Sequence, residues 1–286
     1  MKDEVLAQID RVMQKRPMYR EALSVYREIV VLLEDVAPDI EYAPGDKKVR
    51  ETKAKEGFPL FSREDLPVDL KATTSLFIRV LDHLSSRKRE DREALKRALK
   101  RAQTDGQWIE RALTAFLARD EATADAMAQE VSLDSTVLKF VTTMALKPSL
   151  NTLRGLVSGA IQRGSWEYGY CPLCGSRPDM AYFDEQGKRM LHCELCGFEW
   201  NYPRIKCPFC ENSDSEELGY FSSQDEEGLR VDFCKKCNAY IKTIDLRVAE
   251  APAPLELENL ITLHLDMLAH EQGFTPLAEG HGFSRG

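Results

Sequence analysis

The chain has 286 residues, 43% of them apolar and 30% charged, which suits a globular protein of one large domain or two to three smaller ones. Its formal net charge of −8 and pI near 5.4 give the wrong field for phosphate contacts and weigh against a nucleic-acid binder. No apolar run approaches the ~20 residues that cross a bilayer, and the opening Met-Lys-Asp-Glu-Val-Leu has no hydrophobic export core and no twin arginine, so a cytoplasmic location without membrane insertion is expected.

Residues 1–165 hold no cysteine and read mainly as helix. Ala22, Val25, Tyr26, Ile29, Val30 and Leu33 recur at helical spacing over Glu21 to Leu33. Pro38, Pro44, Gly45, Gly57, Pro59 and Pro67 then interrupt the pattern, and 38–67 reads as a long irregular surface connection. Helical periodicity resumes from Thr74 to Ser85. Further helices are predicted over Arg89 to Thr104, Gly106 to Arg119, Glu121 to Glu130, Asp134 to Leu146 and Pro148 to Ile161. The Lys- and Arg-rich run from Ser86 to Arg101 includes Glu90, Asp91 and Glu93 at spacings that pair charges, so it reads as a solvated helix face.

Gly164 and Gly169 mark a change of pattern. From Tyr170 to about Val248, short β-type runs alternate with cysteine pairs. The linker Ala251 to Pro254 leads to a final helix from about Leu257 to Gln272, with a loose tail from Gly273.

All eight cysteines fall into four Cys-x-x-Cys pairs: Cys171 with Cys174, Cys193 with Cys196, Cys207 with Cys210, and Cys234 with Cys237. In a reducing compartment such pairs hold metal rather than disulfides. Two residues between thiols let both sulfurs of a tight turn face one cation, and two such turns complete a tetrahedron. The residue after the second cysteine favours left-handed backbone, which suits Gly175, Gly197 and Asn238 but not obviously Glu211. Ala181 to Phe183 and Met190 to His192 predict a hairpin around Asp184 to Arg189. Leu218 to Ser222 and Leu229 to Phe233 predict another around Gln224 to Gly228. A β-type run follows each second turn, over Phe198 to Tyr202 and Ala239 to Ile244. The unit knuckle, hairpin, knuckle, strand therefore occurs twice. It assigns Cys171, Cys174, Cys193 and Cys196 to a first metal site and Cys207, Cys210, Cys234 and Cys237 to a second; pairing across the modules would interleave two self-sufficient units. Ligand type leaves zinc and iron both open, since each accepts tetrahedral sulfur.

Tyr170-Cys-Pro-Leu-Cys-Gly-Ser-Arg-Pro178, Leu191-His-Cys-Glu-Leu-Cys-Gly-Phe-Glu-Trp200, Arg204-Ile-Lys-Cys-Pro-Phe-Cys210, Asp232-Phe-Cys-Lys-Lys-Cys-Asn-Ala-Tyr-Ile-Lys242 and Thr262-Leu-His-Leu-Asp-Met-Leu-Ala269 closely resemble the FdhE-type formate dehydrogenase accessory proteins. The resemblance covers roughly the last 120 positions; the helical half agrees in character and length without a matching motif. It implies a cytoplasmic maturation factor that binds the catalytic subunit of respiratory formate dehydrogenases carrying molybdenum or tungsten and selenocysteine. It also implies rubredoxin-like iron at both cysteine sites, two Fe ions per chain, with zinc as a substitute.

The expected architecture is α+β and multidomain: a helical N-terminal domain (1–165), a first four-cysteine rubredoxin-like module (166–204), a second (205–250), and a C-terminal helix with its tail (251–286). Trp200 and Arg204 between the modules, and Tyr240 and Lys242 after the last knuckle, are candidates for partner contact; packing and solvated charge at the ribbon seam are the competing roles. His192 adjoins Cys193 but is not needed where four thiolates suffice, and His83, His264 and His270 fall on predicted helices. No glycine-rich phosphate loop, nucleophile elbow or His-Glu-x-x-His helix is present, so no catalytic residue is assigned. Beside an accessory protein, with a homodimer through its helical half as one expected partnership, stand a rubredoxin-like redox or thiol-exchange protein and a zinc-ribbon nucleic-acid regulator.

Overall fold

The structure, a computed structural model, describes residues 2–43, 45–161, 166–222, 226–249 and 253–277. Pro44, Gly164, the turn residues Gln224 and Asp225, Ala251 and Pro252 of the linker, and the tail from Ala278 lie outside them. The described chain divides into two compact units. One comprises Met1–Leu6, Arg20–Ala43 and Arg63–Leu156, the other Ala7–Tyr19, Pro44–Ser62 and Val157–Gly286.

The first unit is helical. α1 (Lys2–Lys15) begins in it, followed by α2 (Arg20–Glu34), α4 (Leu70–Ser86), α5 (Arg92–Thr104), α6 (Gly106–Ala118), α7 (Glu121–Glu130) and α8 (Ser135–Val157). Its core is the apolar stripe of these helices: Leu23, Ile29, Leu76, Phe77, Val80, Leu81, Leu95, Trp108 and Ile109 are all 0–1% exposed. Phe77 meets Trp108 edge to face at 6.0 Å, the arrangement that ring quadrupoles favour. Asp69, Asp105 and Asp120 cap α4, α6 and α7 by accepting from backbone amides of the first turn, as short acidic side chains do. Arg63 is buried and donates to the carbonyls of Phe116 and Leu117 at 2.8 and 3.0 Å, satisfying the open C-terminus of α6. α8 runs unbroken through Pro148, where the sequence predicts two helices.

The second unit is built on a sheet in the order β3-β2-β1-β6-β5-β4, with the two-residue β7 beside β6. The strands are β1 (Pro178–Phe183), β2 (Arg189–Cys193), β3 (Glu199–Asn201), β4 (Leu218–Ser222), β5 (Leu229–Cys234), β6 (Ala239–Asp245) and β7 (Thr275–Pro276). Each hairpin with its following strand forms an antiparallel meander. The meanders join where β1 and β6 pair in parallel, Met180 opposite Lys242 and Phe183 opposite Asp245. Two ribbons that look self-sufficient in sequence thus share one sheet, the second repeating the first by translation along it.

One face of the second meander carries α10 (Leu263–Glu271), which follows α9 (Leu255–Ile261). Leu265 and Ala269 pack there with Leu229, Val231, Tyr240 and Ile244. The predicted single C-terminal helix breaks at Thr262, whose hydroxyl turns back to the Glu258 carbonyl at 2.6 Å; such local bonding competes with helix continuity. α3 (Lys47–Lys55) lies in the stretch expected to be irregular. Six of its nine residues are charged, so it shows no apolar period, but Asp46 caps it through the Lys48 and Val49 amides.

Candidate metal centres

Three of the four cysteine pairs close a knuckle with a repeated set of backbone bonds. The Cys171 amide donates to the Ser176 carbonyl and the Gly175 amide to the Cys171 carbonyl, at 2.8 and 2.9 Å. Cys193 with Phe198 and Gly197 repeats this, as does Cys207 with Asn212 and Glu211. The turn requires positive φ after the second cysteine, and all four positions have it: Gly175 at 71°, Gly197 at 64°, Glu211 at 58° and Asn238 at 54°. Glu211, which side-chain type alone does not suggest, thus adopts left-handed backbone because the knuckle demands it. Amides freed by the turn point at sulfur, from Leu173 to Cys171 Sγ at 3.4 Å and from Phe209 to Cys207 Sγ at 3.5 Å.

The hairpins return the chain so that the knuckles meet in pairs. Cys171, Cys174, Cys193 and Cys196 form one group and Cys207, Cys210, Cys234 and Cys237 another, with the Sγ atoms of each within 4.8 Å of one another. The closest separations are 3.5–3.6 Å in the first group and 3.7 Å in the second. A disulfide would bring two sulfurs to about 2.0 Å. A tetrahedron of metal–sulfur bonds of about 2.3 Å has edges of about 3.8 Å. The observed spacing therefore fits four thiolates around one cation in each group, and the two groups could hold two metal ions.

The sites differ in closure. All four cysteines of the first are buried, none more than 2% exposed. Residues 57–61, more than a hundred positions upstream, cover it: the Leu60 and Phe61 amides donate to the carbonyls of Pro172 and Leu173 at 2.8 and 3.0 Å, and Tyr170 donates its hydroxyl to the Gly57 carbonyl at 2.6 Å. Sequence reading places this stretch in a surface excursion; the apolar run Phe58-Pro-Leu-Phe61 is the signal that could have marked it. At the second site Cys210 and Cys237 remain half-exposed. Without an ion, burial pushes the Cys171 and Cys193 thiols well up. Burial opposes ionisation at Cys174 too, but hydrogen bonds from the other three thiols outweigh it and hold that thiol low. Burial likewise pushes Cys237 up to about 11.

Of the four residues expected at a partner surface, three lie inside. Trp200 is fully buried and donates its indole N–H to the Tyr168 carbonyl at 3.1 Å. Tyr240 and Lys242, 3% and 1% exposed, both reach Asp266 of α10, at 2.7 and 2.6 Å; Lys242 also donates to the Asn259 carbonyl at 2.7 Å. A contact anchor must be reachable, so these three are corrected to fold-holding roles: alternation along β6 turns Tyr240 and Lys242 toward the covering helices. Arg204 is exposed, its guanidinium 4.8 Å over the Phe183 ring. His192 is no ligand; its Nδ1 pairs with Asp179 at 2.7 Å. That carboxylate, against the opposing effect of burial, holds the imidazole pKa above its usual value.

Tandem meanders, each gathering four cysteines closely enough to hold one cation, define a two-site protein of the rubredoxin and zinc-ribbon kind. Residues 170–204 match the family model described as FdhE, central domain, and residues 205–279 match FdhE, C-terminal domain. The chain is 38% identical over 149 residues to an FdhE homologue of Aquifex aeolicus, covering 51% of this chain and 52% of that one. It is 33% identical over 121 residues to one from Stutzerimonas stutzeri, covering 39% of each. It thus spans about half the length, or less, of these curated relatives. The crystal structure of the FdhE protein from Pseudomonas aeruginosa superposes with a TM-score of 0.66 at 26% identity, over 100% of this chain and 98% of that one. Residues 170–279 thus match both FdhE domain models, and the chain shares the fold of an FdhE protein along its length.

Proposed function

We propose that this protein is a formate dehydrogenase accessory factor: it binds the catalytic subunit of a respiratory formate dehydrogenase in the cytoplasm and is needed for that enzyme's assembly or activation, without being an enzyme itself. The observation that carries this reading is the coincidence of two FdhE domain matches, end to end over 170–279, with the two four-cysteine groups. Among the described residues no helix is long and apolar enough to cross a membrane, which accords with a factor acting before membrane assembly. The net charge of −8 favours a protein client over nucleic acid.

Cys171, Cys174, Cys193 and Cys196 would hold one iron ion and Cys207, Cys210, Cys234 and Cys237 another, with zinc as a substitute. Bound iron would supply a one-electron centre as well as the cross-link that a thin ribbon needs in order to fold. The amides at Leu173 and Phe209 donate to sulfur and stabilise thiolate charge; the hairpins fix the spacing. The division into a helical 1–165, modules 166–204 and 205–250, and a C-terminal 251–286 belongs to the same proposal. The half-exposed Cys210 and Cys237 favour a second reading, in which the second site also takes part in electron transfer or thiol exchange on the client.

Two measurements test this. A pull-down with the formate dehydrogenase catalytic subunit should retain the client, and deletion of the gene should abolish formate dehydrogenase activity; a client that neither binds nor depends on the protein refutes the reading. Metal analysis with an optical spectrum on anaerobically prepared protein should find two ions per chain and the visible absorption of sulfur-ligated ferric iron. A colourless zinc protein that fully supports maturation would eliminate the redox reading.

A further inference from the structure

The face of the second meander opposite α10 is only partly covered: Ala239, Ile241 and Thr243 are buried there, while Tyr220 is exposed. Between that face and the linker residues 203–209 runs a groove of about 550 Å³, walled in part by Phe183, Arg189, Arg204, Ile205, Tyr220 and Arg230. It reaches β4, the last strand of the sheet, whose outer edge pairs with no strand among the described residues. Its rim carries two large apolar side chains left in water, Ile205 at 62% and Tyr220 at 64% exposure.

The groove is cationic in a chain that is acidic overall. Arg204 and Arg230 lie 4.8 and 4.6 Å over the Phe183 ring, Arg247 lies 5.8 Å from it, and Arg230 also stacks on Tyr220 at 4.5 Å. Gly187 makes room for this convergence, since a Cβ there would stand 3.1 Å from Arg247 Nη1 and 3.9 Å from Arg204 Nη1. The carboxylates are too few to match. Asp232 is divided between Arg230 at 2.9 Å and the buried Arg189 at 3.5 Å, and it also accepts from Thr243 at 2.8 Å. Asp245 is held by both the Nε and Nη2 of Arg247. Arg204 pairs with no carboxylate among the described residues. Three guanidiniums thus converge on one ring, and together with Arg189 they share two carboxylates among the described residues. Gathering like charges is costly unless an anion completes the set, and planar guanidiniums stacked on aromatics are suited to bidentate carboxylate. The free strand edge can bond an extended backbone, and the apolar rim can take an adjacent side chain.

We propose that this groove binds an extended acidic segment of the client protein, with its carboxylates on Arg204 and Arg230, its backbone along β4, and an apolar side chain against Ile205 and Tyr220. This rests on the accessory-factor reading and names the surface through which it would act.

The test is an array of overlapping short peptides spanning the formate dehydrogenase catalytic subunit, probed with the metal-loaded full-length protein, each acidic peptide beside its Asn/Gln counterpart and with inorganic phosphate as competitor. Acidic peptides with an apolar residue should bind, their amide counterparts should not, and affinity should fall with salt. Arg204→Glu should weaken binding roughly tenfold or more, whereas Lys100→Glu, an exposed reversal in the helical unit, should not. Arg204 is exposed, so its reversal tests the contact even if Arg230→Glu fails to fold; metal content and circular dichroism monitor integrity. Equal binding of acidic and amide peptides, indifference to Arg204→Glu, or displacement by phosphate with no peptide bound overturns the proposal. Intact client binding by Arg204→Glu would sink the groove and leave the accessory role standing; peptide binding without any binding of the folded client or effect on its activation would do the reverse.

Discussion

The two cysteine sites share their ligands, knuckle bonds and position at the end of a meander, yet they sit in different surroundings. The first is closed: its sulfurs are buried, and a strip of backbone from residues 57–61 bonds to its first knuckle. The second leaves two cysteines half-exposed, and Cys207 and Cys234 border the groove. Both of its left-handed positions hold side chains, Glu211 and Asn238, where the first site has glycine at both. The same chemistry thus gives a fold-closing core in one place and a reachable centre in the other. Ligand identity restricts each site to an ion that accepts tetrahedral sulfur; the covering segment sets what can reach it.

The largest test removes both ions. Structural zinc in small modules contributes on the order of 10 kcal/mol or more of folding energy, whereas the helical unit has an apolar core of its own. A strong chelator under reducing conditions should abolish the β signal and the near-ultraviolet dichroism of the sheet unit while much of the helical signal persists. Loss of neither would mean that the meanders fold without metal. Next is a comparison of single ligands. Cys193→Ala opens a buried site and leaves three thiols enclosed, so it should prevent the first meander from forming and lower soluble yield severely. Cys237→Ala at the half-open site lets water replace the ligand and should cost less, with about one ion per chain retained. Equal damage at both would erase the distinction drawn from burial.

Accessibility gives a third, kinetic measurement. Thiolates react and ions exchange where solvent reaches them, so limiting chelator should take one ion well before the other, with alkylation by mass spectrometry appearing first at Cys210 and Cys237. Acid should strengthen the effect. In the ion-free protein burial raises Cys171 and Cys193, and it raises Cys237 to about 11, so these thiols hold protons at neutral pH that an ion must displace. Affinity therefore falls as pH falls, by about tenfold per pH unit for each proton displaced, and the exposed site should empty first. Simultaneous loss of both ions at every pH would contradict this.

Much of this was legible in the sequence because it is local. Eight cysteines with none left over gave the sites, the spacing between pairs gave the hairpins, and the apolar period gave most helices; α7 spans the predicted Glu121–Glu130. Features set by distant residues left no such trace. The parallel junction of β1 with β6 joins strands some sixty residues apart. The cover over the first site comes from a stretch rich in proline and charge. Trp200, Tyr240 and Lys242 were ambiguous because amphipathic side chains serve equally as surface anchors or as buried bodies with one bonded tip; only the position of α10 decides the case for Tyr240 and Lys242. Arg204 stayed at the surface, with its guanidinium laid over the Phe183 ring.

The smallest predicted effect concerns the knuckle that side-chain type did not predict. Left-handed backbone costs an ordinary L-residue about 1–2 kcal/mol, and glycine returns part of that gain as unfolded-state entropy. Glu211→Gly should therefore stabilise the metal-loaded second site by up to about 1 kcal/mol. It gives up only a 3.4 Å ion pair with Lys206 in which Glu211 is half exposed, and such pairs contribute little. Asn238→Gly should gain less, because asparagine already tolerates this conformation. The readouts are the thermal midpoint and the rate at which chelator strips the second ion, with the first site as internal control. A gain confined to the second site would tie its looseness partly to backbone strain as well as to exposure. A loss of stability at Glu211→Gly would mean that the carboxylate at this knuckle carries a contact stronger than its ion pair with Lys206.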